Sequence, residues 1–208
     1  MDKLSFFLAT SSVLVLLGVG MQLWFAAGLF VLATSIFIAV GAFTSSYVSV
    51  VLGWPLPIAA IVALVATAAL ALCLVPLLFR LTGIYLAMAS LAASEIIRLV
   101  AINLEWLTGG ADGRIVPRAI SAQQAMLVAA GALALSWWLQ RSTRGERLEL
   151  LRHDRRVAVS LALPVRRWES SFFVAGALVT ASAGVVLAHF VRFTSPQQFG
   201  VHYAIDAI

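Results

Sequence analysis

The sequence predicts an all-α fold, a polytopic transmembrane helix bundle of about six spans. Three observations predict it. Hydrophobic residues make up 62% of the 208 residues and charged residues only 11%, where soluble domains carry roughly 25% charge. No charged side chain occurs between Lys3 and Arg80. The arginines gather in one polar segment, residues 141–169, and the rest of the chain is apolar runs broken by short turns.

The runs fall at roughly 4–20, 22–45, 57–79, 84–104, 121–140 and 170–190. The first follows a single Asp and a single Lys, a poor n-region for a cleaved signal peptide, so it reads as a retained span. Gly53-Trp54-Pro55-Leu56-Pro57 separates the second and third runs. Its prolines remove backbone donors and its tryptophan suits a membrane interface. Arg80-Leu81-Thr82-Gly83 is a tight polar turn before the fourth run, and a glycine-rich loop, Thr108-Gly109-Gly110-Ala111-Asp112-Gly113, follows it. In the last run Gly176, Thr180, Gly184 and Ala188 recur every fourth residue. Small side chains along one face let helices approach closely in lipid, so this stripe reads as packing.

Arginine concentrates in cytoplasmic loops. With 141–169 cytoplasmic, parity puts Arg80 on the same side and residues 105–120 and Lys3 on the other. The placement of Lys3 opposes the positive-inside rule. A broken or re-entrant element among the first two runs would relieve that conflict, and Gly18, Gly20, Gly28 and Gly41 suit one, because broken helices are tolerated where they line a cavity.

Several chemistries lack support. The only lysine is Lys3, and a P-loop needs a lysine after its glycine turn, so any ATP that drives this chain is bound by another polypeptide. His153, His189 and His202 have no zinc-site spacing, no G-x-S-x-G elbow is present, and the single Cys73 forms neither an internal disulfide nor a multi-cysteine site. No nucleic-acid motif accompanies the net charge of +5. The expectation is a protein that is not an enzyme, with no catalytic residue, metal or cofactor of its own, whose surroundings are the lipid bilayer and not nucleic acid.

Two features invite a functional reading. Glu95 and Arg98 lie inside an apolar run, three residues apart on one helix face, where they can pair. Charge at membrane depth usually faces a bundle interior or a cavity. The pair is either a pathway or gating element or an internally neutralised pair that fixes packing. Residues 143–163 suit a loosely amphipathic helix, either solvated near anionic headgroups or docking a cytoplasmic partner.

Leu107-Thr108-Gly109-Gly110-Ala111-Asp112-Gly113 resembles the L-T-G-G-x-[ND]-G loop of branched-chain amino-acid ABC permeases of the LivM type. Thr82-Gly83-Ile84-Tyr85-Leu86-Ala87, Ser94-Glu95-Ile96-Ile97-Arg98-Leu99, Ala188-His189-Phe190 and Ser195-Pro196-Gln197-Gln198-Phe199 resemble further motifs of that family in the same order. Ser142-Thr143-Arg144-Gly145, followed by Leu148, Arg152, Asp154, Ala158 and Leu161, resembles its cytoplasmic coupling loop.

The resemblance implies a single transmembrane permease domain over residues 1–208, with a cytoplasmic coupling loop at 141–168 that includes a coupling helix. It implies contacts to a cytoplasmic ABC ATPase through Arg144, Gly145, Leu148, Arg152, Asp154 and Ala158. Phe37, Gly41 and Thr44 match the family's early-span pattern and, with Glu95 and Arg98, are candidates for the pathway. Thr108, Gly109, Gly110, Asp112 and Gly113 form the periplasmic loop. The implied function is import of branched-chain amino acids or a related small solute across the inner (plasma) membrane. The implied partners are ATPase subunits, a sister permease and a periplasmic or extracellular solute-binding protein. Leu29, Val31 and Ala33 stand where the family has Gln, Ser and Gly, so this stretch is less polar than the family pattern. Family members continue past S-P-x-x-F with further glycine-rich spans. The expectation is therefore a domain incomplete relative to the family, or alternatively a structural membrane subunit or decayed fragment that does not transport.

Overall fold

Apolar runs long enough to cross a bilayer form helices because only the helix satisfies every backbone donor and acceptor locally. The computed structural model describes residues 3–81, 83–117, 120–141 and 165–199. Its long helices are α1 (Lys3–Ala26), α2 (Thr34–Val50), α3 (Leu56–Leu78) and α4 (Ile84–Asn103). After the one-turn α5 (Glu105–Thr108) come α6 (Ala122–Arg141) and α7 (Val165–Val191). All of the long helices except α2 are long and apolar enough to cross a membrane. α2 has 17 residues, a length of roughly 26 Å at 1.5 Å per residue, slightly under the ~30 Å hydrocarbon core.

α7 is the centre of the bundle. α1, α2 and α3 pack against it, α6 packs on α1, and α4 lies along α2. The four-residue stripe on α7 is what permits this. A Cβ on Gly176 would come within 2.8 Å of the Gly20 carbonyl oxygen on α1, and one on Gly184 within 2.9 Å of the Ala42 nitrogen on α2. Between them the Thr180 hydroxyl donates to the Gly176 carbonyl at 2.9 Å. Backbones approach at these crossings because no side chain intervenes.

α3 and α6 use the same device. The buried residues of α3 are Ala59, Ala63, Thr67, Ala71 and Leu78, and those of α6 are Ala125, Ala129, Ala132 and Ser136. Their large side chains point outward: Ile61, Val65, Leu72 and Leu77 on α3, and Met126, Leu127 and Leu133 on α6 are exposed. Water would penalise that arrangement, and lipid does not, since acyl chains are as apolar as leucine. Exposed aromatics sit near both ends, Trp54 and Trp106 at one and Tyr85, Trp137 and Trp138 at the other, as membrane interfaces favour.

Trp24, Phe37, Phe79 and Phe173 fix α1, α2 and α3 to the first half of α7. The Phe173 ring lies 6.1 Å from Trp24 and 5.7 Å from both Phe37 and Phe79. The Trp24 indole donates to the Phe173 carbonyl at 3.0 Å, which settles the one polar atom in this cluster.

The first two runs divide differently from the 4–20 and 22–45 expected. α1 passes unbroken through Gly18 and Gly20 to Ala26, and α2 begins at Thr34. Residues 21–26 carry no helix breaker. The chain turns at Gly28, whose φ of 71° is a left-handed value that glycine adopts without strain. Leu29, Val31 and Ala33 then run non-helically and buried. This break is inset from the end of the bundle. Trp24 bonds Phe173, roughly 12 Å along α7 from its start, and Leu32 N–H donates at 2.9 Å to Ser90 Oγ, roughly 9 Å into α4. Irregular backbone is tolerated there because protein covers it.

The chain alternates between two ends. One, the arginine end, carries Arg80, Arg141, Arg166 and Arg167, and the 142–164 connection leaves from it and returns to it. The other, the loop end, carries Lys3, the 51–55 turn, residues 104–117 and residues 192–199. Here a two-residue antiparallel pair, β1 (Arg114–Ile115) with β2 (Phe193–Thr194), aligns Arg114 with Thr194 and Ile115 with Phe193. It is an addition to the all-α expectation, and two residues are too few for periodicity to reveal.

Candidate functional site

The glycine-rich loop is a rigid cap at the loop end. Gly109, Gly110 and Gly113 have φ of 85°, 67° and 71°, values a side chain would strain. Space forbids a side chain as well: a Cβ on Gly109 would meet the Gly113 carbonyl at 2.5 Å, and one on Gly113 the Phe193 ring at 2.9 Å. The buried Thr108 hydroxyl donates to the Ala101 carbonyl at 2.7 Å and accepts from Gly110 N–H at 3.1 Å. It ties the loop to the end of α4. Asp112 is exposed.

Arg114 extends the cap sideways. One terminal nitrogen donates to the Trp106 carbonyl at 3.1 Å, and the guanidinium lies 5.5 Å from the Tyr47 ring centroid. Tyr47 meets Trp106 edge-on at 5.7 Å. Val116 N–H donates to the Arg192 carbonyl at 2.9 Å, closing the cap over the end of α7. His189 lies fully buried beneath it.

The pathway candidates lie on two helices and, among the described residues, do not converge on one cavity. Phe37 is fully buried in the aromatic cluster. Gly41 sits where α2 crosses α7, with Ala181 Cα 2.9 Å from the position of its missing Cβ. Thr44 is half-buried on α2. Glu95 and Arg98 form an ion pair on α4, with Arg98 Nε 2.8 Å from Glu95 Oε2. Their side chains are 38% and 30% exposed, respectively, although the pair lies deep within a spanning helix. Behind Arg98, towards Ser35, Phe43 and Pro196, is a void of about 10 Å³, at most the space of one water.

The coupling candidates Arg144, Gly145, Leu148, Arg152, Asp154 and Ala158 lie outside the described residues. Their connection is anchored by Arg141, whose guanidinium stacks 4.4 Å from the Trp137 ring centroid, and by the start of α7. Sequence reasoning missed a groove of about 330 Å³ between α3 and α6, floored by α7 and lined by Leu56, Leu64, Gln124, Val128, Ser182 and Val186. Apolar residues in lipid-facing and groove-facing positions give no contrasting pattern. Gln124 could have drawn attention, but its Oε1 accepts from Ser121 N–H at 2.9 Å, a capping box for α6. Among the described residues no three His, Cys, Asp or Glu side chains converge on a metal-sized site.

An apolar-surfaced bundle with a rigid cap at one end and Arg80, Arg141, Arg166 and Arg167 at the other has the build of a multi-pass membrane protein. The chain belongs to the branched-chain amino acid transport system permease component family, whose family model matches residues 3–208. No curated protein matches the chain. No solved structure matches it.

Proposed function

We propose that the chain is the membrane-spanning subunit of an ABC importer for branched-chain amino acids or a related small solute, resident in the inner (plasma) membrane. One observation carries this reading: the two ends of the bundle differ. The arginine end carries Arg80, Arg141, Arg166 and Arg167 together with both ends of the 142–164 connection, which suits the cytoplasm. The opposite end is held rigid by three left-handed glycines and a strand pair, which suits reception of a solute-binding protein from outside.

In this scheme the chain binds no nucleotide. A separate cytoplasmic ATPase grips residues 141–168 through Arg144, Arg152 and Asp154, because paired charges set register and partner choice. ATP binding by that partner pushes on the connection. α7 receives the push first, since it follows the connection directly and α1, α2 and α3 all pack on it. The bundle then rocks as a unit against a sister permease to alternate access.

Co-purification tests the proposal. The chain should capture a P-loop ATPase from detergent extracts, and replacing Arg152 and Asp154 together should weaken that capture. Undiminished capture by the double variant overturns the coupling assignment. Labelling of a cysteine at position 152 from the external side overturns the direction as well.

A further inference from the structure

Glu95 and Arg98 occupy a place where charge is hard to keep. Glu95 lies roughly 17 Å from the start of α4 and roughly 12 Å from its end, at 1.5 Å per residue. That is near the middle of a hydrocarbon core of ~30 Å. The pair flanks the side of α4 that packs on α2, with Ser94 buried beside it and Ile96 and Leu99 exposed beyond it.

A pair that serves packing alone is expected to be enclosed and to satisfy its remaining lone pairs and protons. This one is neither. Its single hydrogen bond among the described residues joins Nε to Oε2. Among the described residues Glu95 Oε1 and both terminal nitrogens of Arg98 are left for another partner, on a flank that those residues leave partly open. The void behind Arg98 is too small for any solute beyond a water, so whatever meets these atoms comes from the open flank.

We propose that Glu95 and Arg98 form a station for the zwitterionic headgroup of an amino acid in transit, a reading that rests on the transport function proposed above. The atoms left over match such a headgroup. Carboxylate oxygen Oε1 accepts from an α-ammonium, and the terminal nitrogens of Arg98 present the planar fork that binds an α-carboxylate. The resident pair and the passing zwitterion exchange partners, so that no charge stands uncompensated at membrane depth. No covalent step is involved.

The test is the double variant E95M/R98M, introduced at the native locus so that all natural partners are present. A single substitution would strand one charge and could fail by misfolding, whereas removing both leaves no bare charge. The readouts are membrane abundance, capture of the ATPase, and uptake of radiolabelled leucine by membrane vesicles, in competition with the deaminated acid 4-methylpentanoate and the decarboxylated amine 3-methylbutylamine. The expected result is normal abundance and capture, with leucine uptake reduced on the order of tenfold or more. The unaltered complex should also reject both singly charged analogues. Leucine uptake by the double variant within about twofold of the unaltered chain overturns the station and leaves the transport function standing. Absence of leucine uptake by the unaltered complex overturns the amino-acid reading of the transport function, and the station with it.

Discussion

Replacing Gly184 with alanine adds one methyl group where α7 crosses α2. The new Cβ would stand 2.9 Å from the Ala42 nitrogen and 2.9 Å from the Ile38 carbonyl carbon, and nearer still to the Ile38 carbonyl oxygen. These are backbone atoms and cannot rotate aside, so the helices must separate. Overpacking of this kind costs about 1–3 kcal/mol, and the backbone clash puts Gly184 at the upper end. Alanine's better helix propensity returns about 1 kcal/mol. The expected net effect is a loss of about 1–2 kcal/mol. Gly131 is the internal control: it is exposed on α6 with nothing within 4 Å of its missing Cβ, so Gly131→Ala keeps only the propensity gain. The assay is equilibrium unfolding in mixed detergent micelles, followed by circular dichroism. If the Gly184 variant unfolds at the same denaturant fraction as the Gly131 variant, the α2–α7 crossing is not set by backbone contact and the packing argument fails.

The cap offers two further predictions. Thr108→Val removes a hydroxyl that bonds both Ala101 and Gly110, leaving the Gly110 N–H unsatisfied at a cost of about 1–3 kcal/mol. Amide exchange should quicken across residues 105–117 while α7 stays protected, and Thr108→Ser should restore protection. Gly113→Ala combines a left-handed φ with a 2.5 Å approach to the Thr194 carbonyl oxygen. It should break the strand pair, read as lost exchange protection at Val116, whose N–H donates to Arg192.

The bundle was legible wherever apolar runs met strong breaks. Pro55 and Gly83 mark the starts of α3 and α4 in both the sequence and the structure. The division between α1 and α2 was not legible, because residues 23–33 are apolar throughout and the turn depends on the conformation of one glycine, Gly28. The stripe on α7 could be read because its glycines stand out, while the equivalent alanines of α3 and α6 are inconspicuous in an apolar helix. The Glu95–Arg98 pair followed from a spacing of three residues. Its half-exposed state did not, since exposure depends on how α4 lies along α2. The role of Thr108 could not be read either: a threonine in a loop motif gives no sign that its hydroxyl reaches back seven residues to Ala101.

The position of α7 has a consequence for biosynthesis. The helix on which α1, α2 and α3 assemble leaves the ribosome after all three of them. At ~5–20 residues per second, on the order of ten seconds separate the completion of α3 from that of α7. During that interval the nascent spans have only lipid, or the insertion machinery, to cover the faces that α7 will bury. Conditions that stall elongation after α3 should therefore expose Gly20 and Gly41 to premature partners, and the quality of the final product would depend on translation tempo as much as on the native contacts.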